Sequence, residues 1–113
     1  MHEAIFSDRG FAGGLSTIDL AKALIYEGFH PMTMYFPLVV HGAMLIEPTE
    51  TESKASLDQF IMASRSIAAR AQAGDQSLKA APVHAPRRRL DETLAARKPV
   101  LTYKDPEPAQ AAE

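Results

Sequence analysis

The pattern of apolar and polar residues divides the chain into segments of two kinds. Residues 2–7 and 43–47 are short apolar runs, and in residues 32–40 large apolar side chains recur at every second position. Such segments are typical of strands. In residues 16–28 and 57–72, apolar side chains recur every three to four positions, which is typical of helices with one buried face. The sequence therefore predicts the order strand, helix, strand, strand, helix.

The first predicted helix has recognisable signals at both ends. Ser16 is a good N-cap, because a short polar side chain there can satisfy the free amides of the first turn. Asp19 places a negative charge near the positive end of the helix dipole. Gly28 can end the helix, since glycine tolerates the left-handed backbone that follows many helices, and Pro31 comes shortly after it.

The two strands after this helix are predicted to form a hairpin. His41 and Gly42 stand between residues 32–40 and 43–47. They make a two-residue turn plausible, because glycine accepts a positive φ. Pro37 cannot donate to a strand ladder, so it indicates an edge or a bulge in the first of these strands.

These elements predict an α+β fold over residues 1–80, a small three-stranded antiparallel sheet with two helices on one face. Five of the eight prolines follow residue 80. Residues 81–104 are therefore predicted to form an extended arm that packs on a missing domain or subunit, and residues 105–113 a disordered tail. A strand that starts at the second residue suggests that the chain was cut from something longer.

Composition narrows the classes of function. The 113 residues carry a formal net charge of -2, so no excess of positive charge attracts nucleic acid or an anionic membrane. The chain has no cysteine, which excludes disulfides and thiol chemistry. Its longest apolar stretch is interrupted and too short to span a membrane. With no signal-peptide pattern at the start, these features favour the cytoplasm.

The polar stretch EPTETES, residues 47–53, has two interpretations. Its three glutamates could form a carboxylate site, but no partner for acid–base chemistry is visible near them. As a junction, Pro48 ends a strand after Glu47, Thr49 or Thr51 can cap the next helix, and Glu50 and Glu52 lie near its positive end. The junction explains more of the residues, so we predict a strand-to-helix junction.

Neither a metal site nor a Schiff-base lysine is predicted from the spacing of residues. The four histidines show no HxH or HExxH spacing, and the five lysines are scattered in settings without the apolar surroundings of a reactive amine. Residues 87–89 form a basic run that could bind a phosphate or a carboxylate. Because Asp91 and Glu92 follow directly, a solvated or interfacial arm is the simpler interpretation.

Three runs of residues resemble one enzyme family. EGFHPMTMYFPL, LIEPTETESKASLDQF and RRLDETLAARKPVL are similar to the C-terminal region of the glycine-decarboxylating P-protein of the glycine cleavage system, also called glycine dehydrogenase. The resemblance covers residues 2–103, is most specific at EPTETES, and is closest to subunit 2 of the two-chain form. Residues 11–20 match only loosely.

The resemblance implies the small C-terminal domain of a fold-type-I pyridoxal-phosphate enzyme, packed on a large cofactor-binding domain. The full enzyme would decarboxylate glycine and pass the aminomethyl group to the lipoyl group of the H-protein, with subunit 1 as a further partner. The lysine that holds the cofactor belongs to the large domain, and no stretch here resembles its motif. This chain alone is therefore expected to be inert and to bind neither pyridoxal phosphate nor a metal.

The resemblance also implies roles for four residues, although it implies no catalytic residue in this chain. His2 and Glu3 match the start of the family's C-terminal domain and are candidates for facing the active site. Arg88 and Arg89 match the family's tail and are expected to contact the large domain or the partner subunit.

The alternative function is an autonomous α+β module that binds a protein partner and does no chemistry. A domain cut from a larger enzyme should expose an apolar patch and self-associate, whereas such a module should be a monomer. A small ligand-binding regulatory domain also fits the architecture, but a fold alone does not establish a function.

Overall fold

Short strands and helices alternate along residues 2–103, which are the residues that the computed structural model describes. The strands are β1 (Ala4–Phe6), β2 (Thr33–Met34) and β3 (Met44–Ile46), and the helices are α1 (Thr17–Tyr26), α2 (Lys54–Gln72) and α3 (Glu92–Arg97), with a 3-10 helix at Gln76–Ala80. The element order and the three-stranded antiparallel sheet confirm the predicted α+β class.

β3 lies at the centre of the sheet and pairs antiparallel with both β1 and β2. Phe6 stands opposite Met44, and Ala4 stands opposite Ile46. Because opposed residues, and residues two apart on a strand, point to the same side, these four side chains share one face of the sheet. Met44 is buried among residues of α1 and α2, so this face is turned toward the helices.

The core is built mainly by α1, α2 and the 3-10 helix, and Met44 is the strand residue buried in it. Fully burying a side chain such as Leu24 or Ile67 contributes about 1.5–3 kcal/mol. The packing of α1 on α2 therefore contributes to the stability of the fold. The buried cluster comprises Leu15, Leu20, Ala23, Leu24, Met44, Ile67, Ala71, Leu78 and Ala81.

The hairpin differs from its prediction. The strand predicted over residues 32–40 ends after two paired residues, and a loop of residues 35–43 replaces the predicted two-residue turn. Tyr35 leaves the strand in a left-handed conformation, with φ 60°, although its amide still donates to the Ala43 carbonyl at 2.7 Å. Pro37 has no amide hydrogen, so the ladder cannot continue through it. The predicted strand length and turn were wrong. Alternating apolar side chains predict a strand, but they do not show whether the backbone amides and carbonyls of that segment can pair with a neighbouring strand.

α1 begins and ends where the sequence predicts. Ser16 is its N-cap, and the Asp19 carboxylate accepts hydrogen bonds from the Ser16 amide at 2.9 Å and the Ser16 hydroxyl at 3.3 Å. Gly28 follows the last turn with φ 88°, the left-handed conformation expected there.

α2 begins nearly one turn before its predicted start, and its cap is Ser53. The Ser53 hydroxyl accepts a hydrogen bond from the Ser56 amide at 3.1 Å, which is typical of an N-cap. The hydroxyls of Thr49 and Thr51 contact each other at 2.7 Å. Both predicted caps were therefore wrong, because these side chains pair within the turn before the helix. The stretch 47–53 does join a strand to a helix, as predicted.

The arm after residue 80 contacts the domain at its start and leaves it later. Ala81 is buried in the core, and the rings of Tyr26 and His84 lie 5.5 Å apart, centroid to centroid. α3 buries none of its residues, and Tyr103 is almost fully exposed. Packing of the arm on another domain or subunit stays a prediction. Residues 105–113, predicted to be disordered, lie outside the described residues.

Candidate functional site

An open groove of about 630 Å³ lies between the sheet and α2. Phe6 on the sheet side is 53% exposed and Ile61 on the helix side is 51% exposed, although close packing of α2 on the sheet would bury both. Within the part of the chain that the structure describes, this apolar surface has no covering element. Its apolar walls are formed by Ala4, Phe6, Met32, Met44 and Ile46 on the sheet side and by Leu57, Phe60, Ile61 and Ala68 on α2.

His2 and Glu3, the residues predicted to face an active site, line the rim of this groove. His2 Nε2 lies 3.9 Å from Glu47 Oε1, and both side chains are largely exposed. An exposed pair at this distance adds little to stability. The stability of the fold therefore does not explain why these two residues stand here. That they face an active site stays a prediction.

Three polar residues of α2, Ser64, Arg65 and Gln72, also line the groove. The Ser64 hydroxyl is buried and has no hydrogen-bond partner among residues 2–103. Arg65 follows it and places a positive charge at the groove, with its side chain exposed. Ser64 is therefore an exception, within the described residues, to the rule that buried polar groups in folded proteins are paired.

A buried carboxylate joins three segments of the chain beside the sheet. Asp8 is 6% exposed and accepts hydrogen bonds from the Thr17 amide at 3.1 Å and from His41 Nδ1 at 2.8 Å. The single hydrogen of the Thr17 hydroxyl is shared between two acceptors, the same carboxylate at 3.2 Å and the Gly42 carbonyl at 2.6 Å. These contacts connect the turn after β1, the start of α1 and the end of the loop at residues 35–43.

Asp8 is held in its charged form by these contacts. Burial alone would raise the pKa of Asp8, but hydrogen bonds from the Thr17 amide, the His41 ring and the Thr17 hydroxyl outweigh burial, so this pKa lies below its ordinary value. A carboxylate only accepts, so His41 Nδ1 carries the hydrogen between them. The His41 side chain is 69% exposed. The arrangement orients a histidine at the base of the loop.

Sequence reasoning missed Asp8 and assigned His41 only to a turn. The nearest signal was the turn sequence SDRG after the first strand. The partners of Asp8 are 9 and 33 residues away along the chain, beyond the reach of helix and strand periodicity. A buried aspartate in such a turn looks like a solvated one until the fold brings its partners together.

The loop of residues 35–43 exposes an apolar tip. Leu38 is 87% exposed and Val39 is 89% exposed, and the neighbouring Tyr35 and Phe36 are about half exposed. Monomeric proteins rarely expose contiguous apolar residues of this kind. The tip and the groove are therefore both suited to contact with another protein surface.

The side chain of Arg89 binds the arm to the domain through three contacts. Its Nη1 lies 3.0 Å from Asp19 Oδ1, its Nε donates to the Ala81 carbonyl at 2.9 Å, and its Nη2 donates to the Leu78 carbonyl at 3.0 Å. The predicted contact of Arg89 with another domain or subunit competes with these contacts. Arg88 is exposed, so the predicted external contact is better suited to Arg88.

Replacing Arg89 by alanine is expected to lower the free energy of unfolding of the chain by about 2 kcal/mol, in the range for hydrogen bonds to a charged group. The Arg89 side chain is a third exposed. Solvent therefore screens its three contacts, and their combined contribution to stability is smaller than the sum of three fully buried contacts. Arg88→Ala, a matched change one residue away, is expected to cost less than about 0.5 kcal/mol. Urea denaturation followed by circular dichroism measures both, and equal losses would contradict the anchoring role of Arg89.

Among residues 2–103, no group of three or more side chains is arranged to hold a metal ion. No helix in the same range is long and apolar enough to cross a membrane. None of the lysines described lines the groove. Lys54 instead forms an ion pair with Asp58 on the surface of α2, and Lys79 reaches the Gly13 carbonyl at 3.4 Å. The groove, as residues 2–103 form it, is therefore suited to binding an apolar surface.

Together, the fold and the groove define a small α+β domain with an open apolar face, the kind of domain that packs against a larger body. Residues 1–86 match the family described as glycine dehydrogenase, C-terminal domain. The chain belongs to this family, which confirms the resemblance seen in its sequence.

Individual relatives carry a more specific name. A probable glycine dehydrogenase (decarboxylating) subunit 2 from Caulobacter vibrioides is 68% identical over 106 residues, which cover 92% of this chain and 20% of the relative. Proteins of the same name from Shouchella clausii and Caldanaerobacter subterraneus are 54% and 50% identical, over 80% and 91% of this chain. The chain spans about a fifth of the length of these curated relatives.

Proposed function

We propose that this chain acts as the C-terminal domain of a glycine-decarboxylating dehydrogenase, in the position of subunit 2 of the two-chain form. The observation that carries the proposal is the 68% identity, over 92% of the chain, to the Caulobacter protein of that name. The whole enzyme would release carbon dioxide from glycine and transfer the remaining aminomethyl group to the lipoyl group of the H-protein.

The part played by this domain is to complete and support the enzyme by contact. The groove and the tip of the loop at residues 35–43 offer apolar surface to the rest of the enzyme. His2 and Glu3 lie at the rim of the groove, where they would approach the active site from this domain. Arg88 is exposed on the arm and would reach the large domain or the partner subunit.

Pyridoxal phosphate, which the family implies, is proposed for the whole enzyme and not for this chain. The aldehyde of this cofactor is held by a lysine amine. No lysine among the described residues lines the groove, and Arg65 is the one lysine or arginine among its lining residues. The described residues therefore do not fit the cofactor, and the 113-residue chain is expected to be inert alone.

The proposed partners are the large cofactor-binding domain, subunit 1 of the same enzyme and the lipoylated H-protein. The proposal also includes a cytoplasmic location, which the composition favours. Fractionation of the source cells, with detection of this chain by an antibody, would test the location. The mass of the detected band would show at the same time whether the domain occurs within a longer polypeptide.

The test of the proposed function is a chimaeric subunit in which this chain replaces the region that it matches in the Caulobacter relative. With subunit 1, H-protein and pyridoxal phosphate, we expect the chimaera to release carbon dioxide from carboxyl-labelled glycine at a rate comparable to that of the parent subunit. A subunit lacking the region and the 113-residue chain alone are the two controls, and both are expected to be inactive. A folded chimaera without activity, or a deleted subunit with full activity, would overturn the proposal.

A further inference from the structure

The groove between the sheet and α2 is open in this domain, and its lining indicates what covers it. We propose that the groove is filled by the polypeptide that directly precedes this domain in the full-length subunit, docked through apolar side chains. The inference rests on the proposed function, because it requires the longer subunit. It goes further in assigning one surface and one occupant to the contact.

The first argument is the chemistry of the groove. Its walls are apolar on both sides, and Phe6 and Ile61 are each about half exposed in the middle of a surface that a helix-on-sheet layer normally buries. Exposed apolar surface of this kind favours an apolar occupant, because removing apolar area from water is favourable. A segment that is polar throughout would lose its own hydration against these apolar walls.

The second argument is the position of the chain's start. His2, Glu3 and Ala4 line the groove, so the polypeptide enters the domain at its edge. The relatives are about five times longer than this chain, and the family match is to a C-terminal domain. In such a subunit, the residues before His2 arrive beside the groove without needing a linker. A covalently attached segment at this place has a far higher effective concentration than any separate protein.

Two single-cysteine variants test this assignment, and the absence of cysteine from the chain makes each thiol unique within it. Ile61→Cys places the thiol in the groove. Met62→Cys places it on the next residue of α2, which is 71% exposed and does not line the groove. Each variant is made in the chimaeric full-length subunit. Alkylation rates are measured by mass spectrometry of the peptide from α2, in native and in urea-unfolded protein.

With the chimaeric subunit alone, the thiol of Ile61→Cys should react about tenfold or more slowly in the native than in the unfolded state, as expected for a site that must open to react. The thiol of Met62→Cys should react at nearly the same rate in both states. Leu57→Cys and Ala55→Cys form a second pair, one residue in the groove and one outside it, in case the first pair disturbs folding.

Equal rates for Ile61→Cys and Met62→Cys would overturn the inference, as would protection of both to the same degree. Protection that appears only after subunit 1 or H-protein is added would assign the groove to another protein and would also overturn it. An active chimaera with a reactive Ile61→Cys thiol would leave the proposed function intact. An inactive chimaera with a protected Ile61→Cys thiol would overturn the function and leave the docking intact.

Discussion

Gly42→Ala is expected to lower the free energy of unfolding of the chain by about 3 kcal/mol or more, the upper range for forcing atoms into a packed site. A Cβ built on Gly42 overlaps the buried carboxylate of Asp8. Gly42 also has φ 55°, a conformation that costs an alanine about 1 kcal/mol. Either the loop or the carboxylate must move, and movement breaks the hydrogen bonds that join Asp8 to α1 and His41.

Gly28→Ala is the matched control for this change. Gly28 has φ 88°, so it carries a similar backbone cost, but a Cβ there meets no atom within 4 Å. We expect this variant to lose only about 1 kcal/mol. Urea denaturation of both variants measures the difference. Similar losses in the two variants would show that backbone strain alone matters and that the overlap with Asp8 does not.

Asp8→Asn is expected to lower the free energy of unfolding by about 2–3 kcal/mol, because a neutral amide cannot accept equally well from the Thr17 amide and His41, and one buried donor loses its partner. The carboxylate also stands at the positive end of α1, where a negative charge is favoured. Asp58→Asn, at an exposed position paired with Lys54, is the control and should cost less than about 0.5 kcal/mol.

The pH dependence of this effect has a definite sign. The pKa of Asp8 is lower in the folded chain than its ordinary value, so its carboxylate stabilises the fold fully above the unfolded-state pKa of about 3.9. This stabilisation is lost as the pH falls through the lower folded-state pKa. The difference in the free energy of unfolding between the unsubstituted chain and Asp8→Asn should therefore be largest near neutral pH and should disappear in acid. A gap that is constant from pH 7 to pH 3 would contradict a charged Asp8.

The helices show which features of the fold could be predicted from the sequence. The ends of α1 were predictable because Ser16 and Gly28 act through their own backbone and that of their immediate neighbours. α2 was recognised by the spacing of its apolar residues, but its cap was not. Ser53, Thr49 and Thr51 are all suitable residues for an N-cap, and the choice depends on how the chain turns before the helix.

The candidate site was predictable only in outline. The resemblance carried by EPTETES and its neighbours identified the family, and the family match confirms it. His2 and Glu3 were chosen from that resemblance, and the structure places both on the groove. The groove itself left no sign in the sequence, because residues such as Phe6 and Ile61 follow the same periodic pattern whether a neighbouring element covers them or not.

By itself, the sequence determined the family, the α+β class and the positions of α1 and α2, since all three depend on local patterns of side chains. Only the tertiary structure decided that Asp8 is a buried anchor, that Arg89 binds its own domain and that one apolar face stays open. The physical reason is that burial and pairing arise between residues distant in sequence, so the same aspartate, arginine or phenylalanine takes its role from the segments the fold places beside it.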